Sequence, residues 1–261
     1  MKVIKSNLKL TITAVSFSLF GILGYHSIKT SKQENIAKST LYYSIMEPRA
    51  PITLDLFEAE KYEPAIVVQQ LIGNLVYYSN HGRYEPRIAE AWTKVSENQW
   101  RFKLKRGFIC ENGEKITPVS FKKSLMRSFK ISAKKGGVPV FDKLIGFKEF
   151  ADNKNHDLPG LSAEGDTLSF HFFFFTRSGP LQLLSFAQYG YICEENLNAD
   201  HSWRNKSKFI SSGPYKVENV EIGKQYILTK RHDWPDFSPN SPDKVIITHE
   251  IPSEKEKHRN L

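Results

Sequence analysis

Apolar and polar residues alternate most cleanly in "QWRFKLKRG", where Trp100, Phe102 and Leu104 interleave with Arg101, Lys103 and Lys105. A period of two predicts an antiparallel strand with one face in a core, Trp100 included. The pair Asn112-Gly113 in "CENGE" then signals a hairpin. Thr117-Pro118 reads as a helix cap followed by the first helical residue, and Phe121, Leu125 and Phe129 line one face of that helix. Upstream, "STLYYSIM" reads as a strand. Pro64 opens a helix whose apolar face is Ile66, Val67, Leu71, Ile72 and Leu75. In "EPRIAEAW", Ile88, Ala89 and Trp92 stand at helical spacing.

Downstream, "FDKLIGFKEFADNK" is helical in pattern and "LQLLSF" is a short helix. "GDTLSFHFFFF" predicts a strand whose closing phenylalanines must be buried on both faces or risk aggregation. "SSGPYKVENVEIGKQYILTKR" predicts a hairpin, with strands over 215–220 and 225–230 around Ile222-Gly223-Lys224. A last strand covers 244–250. "RAPITLDLFEAEKYEP", "SAKKGGVP" and "DWPDFSPNSPDK" are loops by their prolines and glycines. The sum is an α/β chain, mixed α+β in character, rich in hairpins and without an internal repeat.

Charge changes this picture at one end. The net charge is +9, but residues 1–32 carry five lysines and no acid, leaving +4 for the rest. An ordinary surface of that kind does not argue for nucleic-acid binding. Lys2, Lys5 and Lys9 precede the apolar run Leu10–Leu23, the order of an export signal. Residues 1–32 therefore read as a signal peptide or N-terminal membrane anchor, and 30–38 as a polar linker. The location expected is periplasmic, or anchored to the outer face of the cytoplasmic membrane. Cys110 and Cys193 both follow apolar residues, in "GFIC" and "GYIC". An oxidising compartment permits a bridge, but buried free thiols are the favoured reading.

No catalytic or metal constellation is present in the sequence. Eight histidines are scattered, with no HExxH, no CxxC, no GxSxG and no phosphate-cradling glycine loop. The chain is expected not to be an enzyme and to need no cofactor or metal. Eleven tyrosines and four tryptophans point to a binding protein instead.

Four stretches, in order, resemble one family. "ITLDLFEAEKYEPAIVVQQLIGNLVYYSNHGRYEPRIAEAW" is similar to the opening segment of the family 5 solute-binding proteins of ABC transporters, the oligopeptide, dipeptide and nickel binders. "WRFKLKRGFICENGEKITPVSFKKSLMRSF", "GDTLSFHFFFFTRSGPLQLLS" and "SSGPYKVENVEIGKQYILTKRHDW" resemble their later signatures, so the likeness spans about 38–255. Leu56 replaces a proline, Cys110 an aromatic residue and Asn112 an aspartate. Pro118-Val119-Ser120 and Trp234-Pro235 also depart from the pattern.

The resemblance implies a periplasmic-binding-protein-like type II fold. Its first lobe would comprise 38–72 and 193–261, with 73–192 as an inserted second lobe and the third lobe missing. It implies the solute-binding component of a peptide-type ABC importer, binding ligand weakly on its own. Implied partners are a peptide or other small solute, the permease subunits, and a separate chain supplying the missing lobe. Glu60 and Tyr62 are the implied ligand contacts. A membrane-tethered remnant or protein-interaction module is the other reading.

Overall fold

The computed structural model describes residues 39–46, 54, 57, 62–136, 140–174, 179–205, 208–221, 224–237 and 241–250. The segment 1–32 read as an export signal, the linker, Glu60 and the charged tail lie outside them.

The strand with the clean period of two is β5 (Gln99–Leu104), at the centre of one of two four-stranded sheets. That sheet runs β4 (Ala89–Ser96), β5, β7 (Thr167–His171), β6 (Leu161–Glu164), and all its pairings are antiparallel. Phe102 and Leu104 are buried, whereas Trp100 is only half-buried, its ring against the backbone of Gly179. The expected helix at "EPRIAEAW" is a strand. A β-bulge at Glu90 inserts one residue, so Ala89 pairs with Leu104 and Trp92 with Phe102. Two same-face neighbours thus stand three apart, which imitates a helical interval.

The Phe run is not buried throughout. Phe170 and Phe172 point into the core, but β7 ends at His171, and Phe173 and Phe174 are 78% and 51% exposed. The chain leaves the sheet there, as Phe173 N–H donates to the Lys143 carbonyl.

Helix α2 (Pro118–Lys134) packs on this sheet through Phe121, Leu125 and Phe129. Thr117 caps it, its hydroxyl accepting from Ser120 N–H at 3.1 Å while Ser120 Oγ accepts from Thr117 N–H at 2.9 Å. The helix expected at "FDKLIGFKEFADNK" splits into a 3₁₀ turn and α3 (Phe147–Ala151) at Gly146, whose φ is +77°. The short helix at "LQLLSF" is α4 (Leu181–Leu184).

The second sheet is β1 (Thr40–Met46), β10 (Lys244–Glu250), β9 (Gln225–Lys230), β8 (Tyr215–Glu221), with β1 parallel to β10 and the rest antiparallel. Helix α1 (Tyr62–Leu71) shares its core, bringing Val67, Val68 and Leu71 to Tyr215, Tyr226, Leu228, Val245 and Ile247. A small hairpin, β2 (Val76–Tyr78) with β3 (Tyr84–Pro86), follows α1.

The segment "SSGPY" closes the end of α1. Ser212 and Gly213 N–H both donate to the Leu71 carbonyl, at 3.1 and 3.0 Å. Gly73 N–H donates to Ser212 Oγ at 3.0 Å, and Tyr191 N–H donates to the Gly73 carbonyl at 2.9 Å. A Cβ on Gly213 would stand 2.6 Å from Ile72 N, so only glycine fits. Buried Arg231 ties this junction to the hairpin after β5, donating to the carbonyls of Ser211, Gly213 and Ile109.

Candidate functional site

Beside α2 runs an open groove of about 770 Å³. One wall is the α2 face opposite its phenylalanines, where Lys123, Arg127 and Lys130 recur at helical spacing. The other wall is the segment 191–204, with Glu194, Glu195, Leu197, Asn198, His201 and Arg204. Phe150 and His156 also line it.

Two features fix that second wall. The first is a disulfide between Cys110 and Cys193, with Cα atoms 6.2 Å apart, which corrects the expectation of free thiols. Both apolar contexts lead to the same place. The hairpin bridged at Ile109 and Lys115 packs against the segment that enters through the Gly73–Tyr191 bridge. The second feature is Glu114, which accepts from Tyr191 Oη at 2.5 Å and from Glu194 N–H at 2.8 Å. Burial, then the bond to Glu114, pushes the Tyr191 phenol above its ordinary range, so it stays a neutral donor. The hairpin itself is a four-residue turn. Gly113 N–H donates to the Cys110 carbonyl, and Gly113 alone in it takes a positive φ, +88°.

Ser124, on the groove floor, accepts from Ile192 N–H at 2.9 Å and donates to the Gly190 carbonyl at 3.2 Å. Arg127 Nε donates to the His201 carbonyl at 2.8 Å, Lys130 Nζ to Asn153 Oδ1 at 2.9 Å, and Arg204 to the Leu197 carbonyl at 2.6 Å. The neutral acceptors of Lys130 and Arg204 hold these two cations in place without cancelling their charge.

Of the residues implied as ligand contacts, Glu60 lies outside the described residues. Tyr62 is the first residue of α1, and its side chain is likewise not described. The groove residues were not singled out in the sequence. The basic recurrence in "KKSLMRSFK" was a usable signal for one wall, whereas the second wall depends on long-range packing. Among the described residues, no group of three or more His, Cys, Asp or Glu could hold a metal ion. Nor is any described helix long and apolar enough to cross a membrane.

Comparison with curated proteins gives no match. Solved structures match well in fold. OppA of Burkholderia pseudomallei superposes with a TM-score of 0.67 at 19% identity, covering 84% of this chain and 43% of that one. Haemophilus influenzae OppA in complex with the peptide RPPGFSPFR gives 0.69 at 18%, with 87% and 45% covered. The Escherichia coli murein tripeptide binding protein MppA gives 0.69 at 18%, with 85% and 44% covered. The chain thus spans less than half the length of these structures. The model "Bacterial extracellular solute-binding proteins, family 5 Middle" matches residues 83–254, most of the chain. The mixed helix-and-sheet fold and this match agree, and the chain belongs to the family 5 bacterial extracellular solute-binding proteins.

Proposed function

We propose that the chain is the extracytoplasmic solute-binding component of a peptide-type ABC importer. The observation that carries this reading is the family match over residues 83–254, on a fold shared with an OppA solved in complex with a peptide. The protein binds its solute and performs no chemistry on it. Residues 1–32 direct export and are then removed or kept as an anchor. The buried disulfide supports that route, since such bridges persist in oxidising compartments. The working partners are the importer's permease subunits. Glu60 and Tyr62 remain the proposed ligand contacts.

Two lobes support this role, one from 38–72 and 193–261 and the other from 73–192. Each contains one of the two four-stranded sheets. On its own the chain binds weakly, because a few net hydrogen bonds at about 1 kcal/mol each fall short of the roughly 8 kcal/mol that micromolar affinity needs. Titration of the full chain with a pool of di- to pentapeptides, followed by calorimetry and by amide chemical shifts, should give dissociation constants weaker than micromolar. Micromolar or tighter binding would show a site complete in this chain. No response to any peptide would favour the tethered interaction module.

A further inference from the structure

We propose that Asn112 is a self-modification site, where conversion of the side-chain amide to a carboxylate weakens the junction between the two lobes. The inference rests on the lobe division above, which puts Asn112 in the 73–192 unit and Glu195 in the other. Asn112-Gly113 is the one Asn-Gly pair in the sequence. The residue after an asparagine sets how readily it reacts, because its backbone nitrogen must attack the side-chain carbonyl carbon. A Cβ on that residue crowds the approach, and Gly113 has none. The space around it is open as well, since a Cβ built there would meet nothing within 4 Å. Asn112 and Gly113 are both exposed, so water and hydroxide reach them.

The step needs only hydroxide and water. Hydroxide takes the proton from the Gly113 amide, and the nitrogen then bonds to Asn112 Cγ. The Cγ–Nδ2 bond breaks, and the departing nitrogen takes a proton from water and leaves as ammonia, which restores the hydroxide. The cyclic imide so formed adds water and opens to aspartate or, when its main-chain carbonyl is the one attacked, to isoaspartate.

Local contacts set the pace. Gly113 N–H donates to the Cys110 carbonyl at 2.9 Å, so the turn must open before this nitrogen is available. The disulfide to Cys193 holds Cys110 and restrains that opening. Asn112 Oδ1 accepts from Glu114 N–H at 3.2 Å, which draws charge away from the carbon under attack. The fold therefore slows the reaction without blocking it, and reduction of the disulfide removes one restraint.

The product differs from Asn112 at a contact between the lobes. Asn112 Nδ2 donates to Glu195 Oε2 at 3.0 Å. After conversion an acceptor stands where that donor stood, and two carboxylates face each other. Glu111 adds a third acid beside them, while the nearest cation to Glu195, Lys208 at 3.8 Å, is exposed and offsets little. The disulfide and the bond from Glu194 N–H to Glu114 persist, so the junction loosens without coming apart.

The test is incubation of the full chain in nonionic micelles, followed by peptide mapping in a mass spectrometer and by enzymatic labelling of isoaspartate. Asn198, exposed and followed by Ala199, is the internal control for the missing Cβ. Conversion at Asn112 should be roughly tenfold faster than at Asn198 or more. Mildly alkaline buffer should speed it, and so should a reductant. Asn112→Asp, which carries the product's charge, should lower the melting temperature by about 2–4 °C. Adding Glu195→Gln to that variant should restore the loss, because the glutamine amide donates to the new carboxylate. Conversion at Asn112 no faster than at Asn198 would overturn the site. An unchanged melt for Asn112→Asp, or a loss that Glu195→Gln does not restore, would overturn its action on the junction. None of these readouts involves a solute, so their failure is separate from any failure of the transport reading.

Discussion

Phe102 and Trp100 stand two residues apart on the same face of β5 but at different depths. Phe102 is fully buried, edge-on to Phe170 at 5.4 Å and beside Trp92 at 6.5 Å. Trp100 lies toward the start of the strand and is only half-buried. Phe102→Ala should therefore cost about 3–5 kcal/mol in denaturant unfolding. Arg101→Ala, exposed on the other face, should stay within roughly 0.5 kcal/mol. Equal costs would mean the face is misassigned. Alternation in a sequence gives the face of a strand. It does not give depth, which depends on where the neighbouring strands end. The same limit applies to the groove. Lys123, Arg127 and Lys130 were legible as one helical stripe, but the 191–204 wall facing them is set by a disulfide and by Glu114.

At the scale of elements, local signals with a defined chemistry were legible. Thr117-Pro118, the 215–230 hairpin and the last strand all fall where capping and turn residues place them. What misled was periodicity disturbed by one residue, as at the Glu90 bulge, and a run of one residue type that passes from core to surface, as at Phe172 to Phe173. Thr117→Ala removes one half of the capping box and should cost about 1 kcal/mol in thermal or denaturant unfolding. The disulfide acts on a larger unit, because it fastens the 109–115 hairpin to the groove wall across a separation of 83 residues. Cys110→Ser with Cys193→Ser should lower stability by about 2–4 kcal/mol, most of it through a less constrained unfolded chain. Native protein should show no free thiol, and reductant should lower its melting temperature. A reductant-insensitive melt would contradict this account of the pair.

Across the whole molecule, the second sheet's core takes buried members up to Ile72 and again from Ile192, with Ala187 the one between them, and Gly73 and Tyr191 beside these points are hydrogen-bonded neighbours. Ends that lie side by side are what an inserted unit requires. The composition of the cores supports the same division. The core between the first sheet and α2 draws all its buried members from 75–191 except Cys193 and Trp234. Trp234 meets Phe108 edge-on at 4.7 Å, and Arg231 reaches the Ile109 carbonyl at 2.9 Å, so the rest of the chain covers one end of this core without building it. A fragment of residues 73–192 carrying Cys110→Ser should therefore unfold cooperatively by circular dichroism. It should be less stable than the same unit in the intact chain, because it loses the disulfide and the Trp234 contact. The second sheet is drawn from β1 and from β8–β10, at opposite ends of the chain, and should not fold from either part alone. A 73–192 fragment without a cooperative transition would show that the core depends on Trp234 and Arg231 more than its buried membership implies. The two lobes would then be one folding unit.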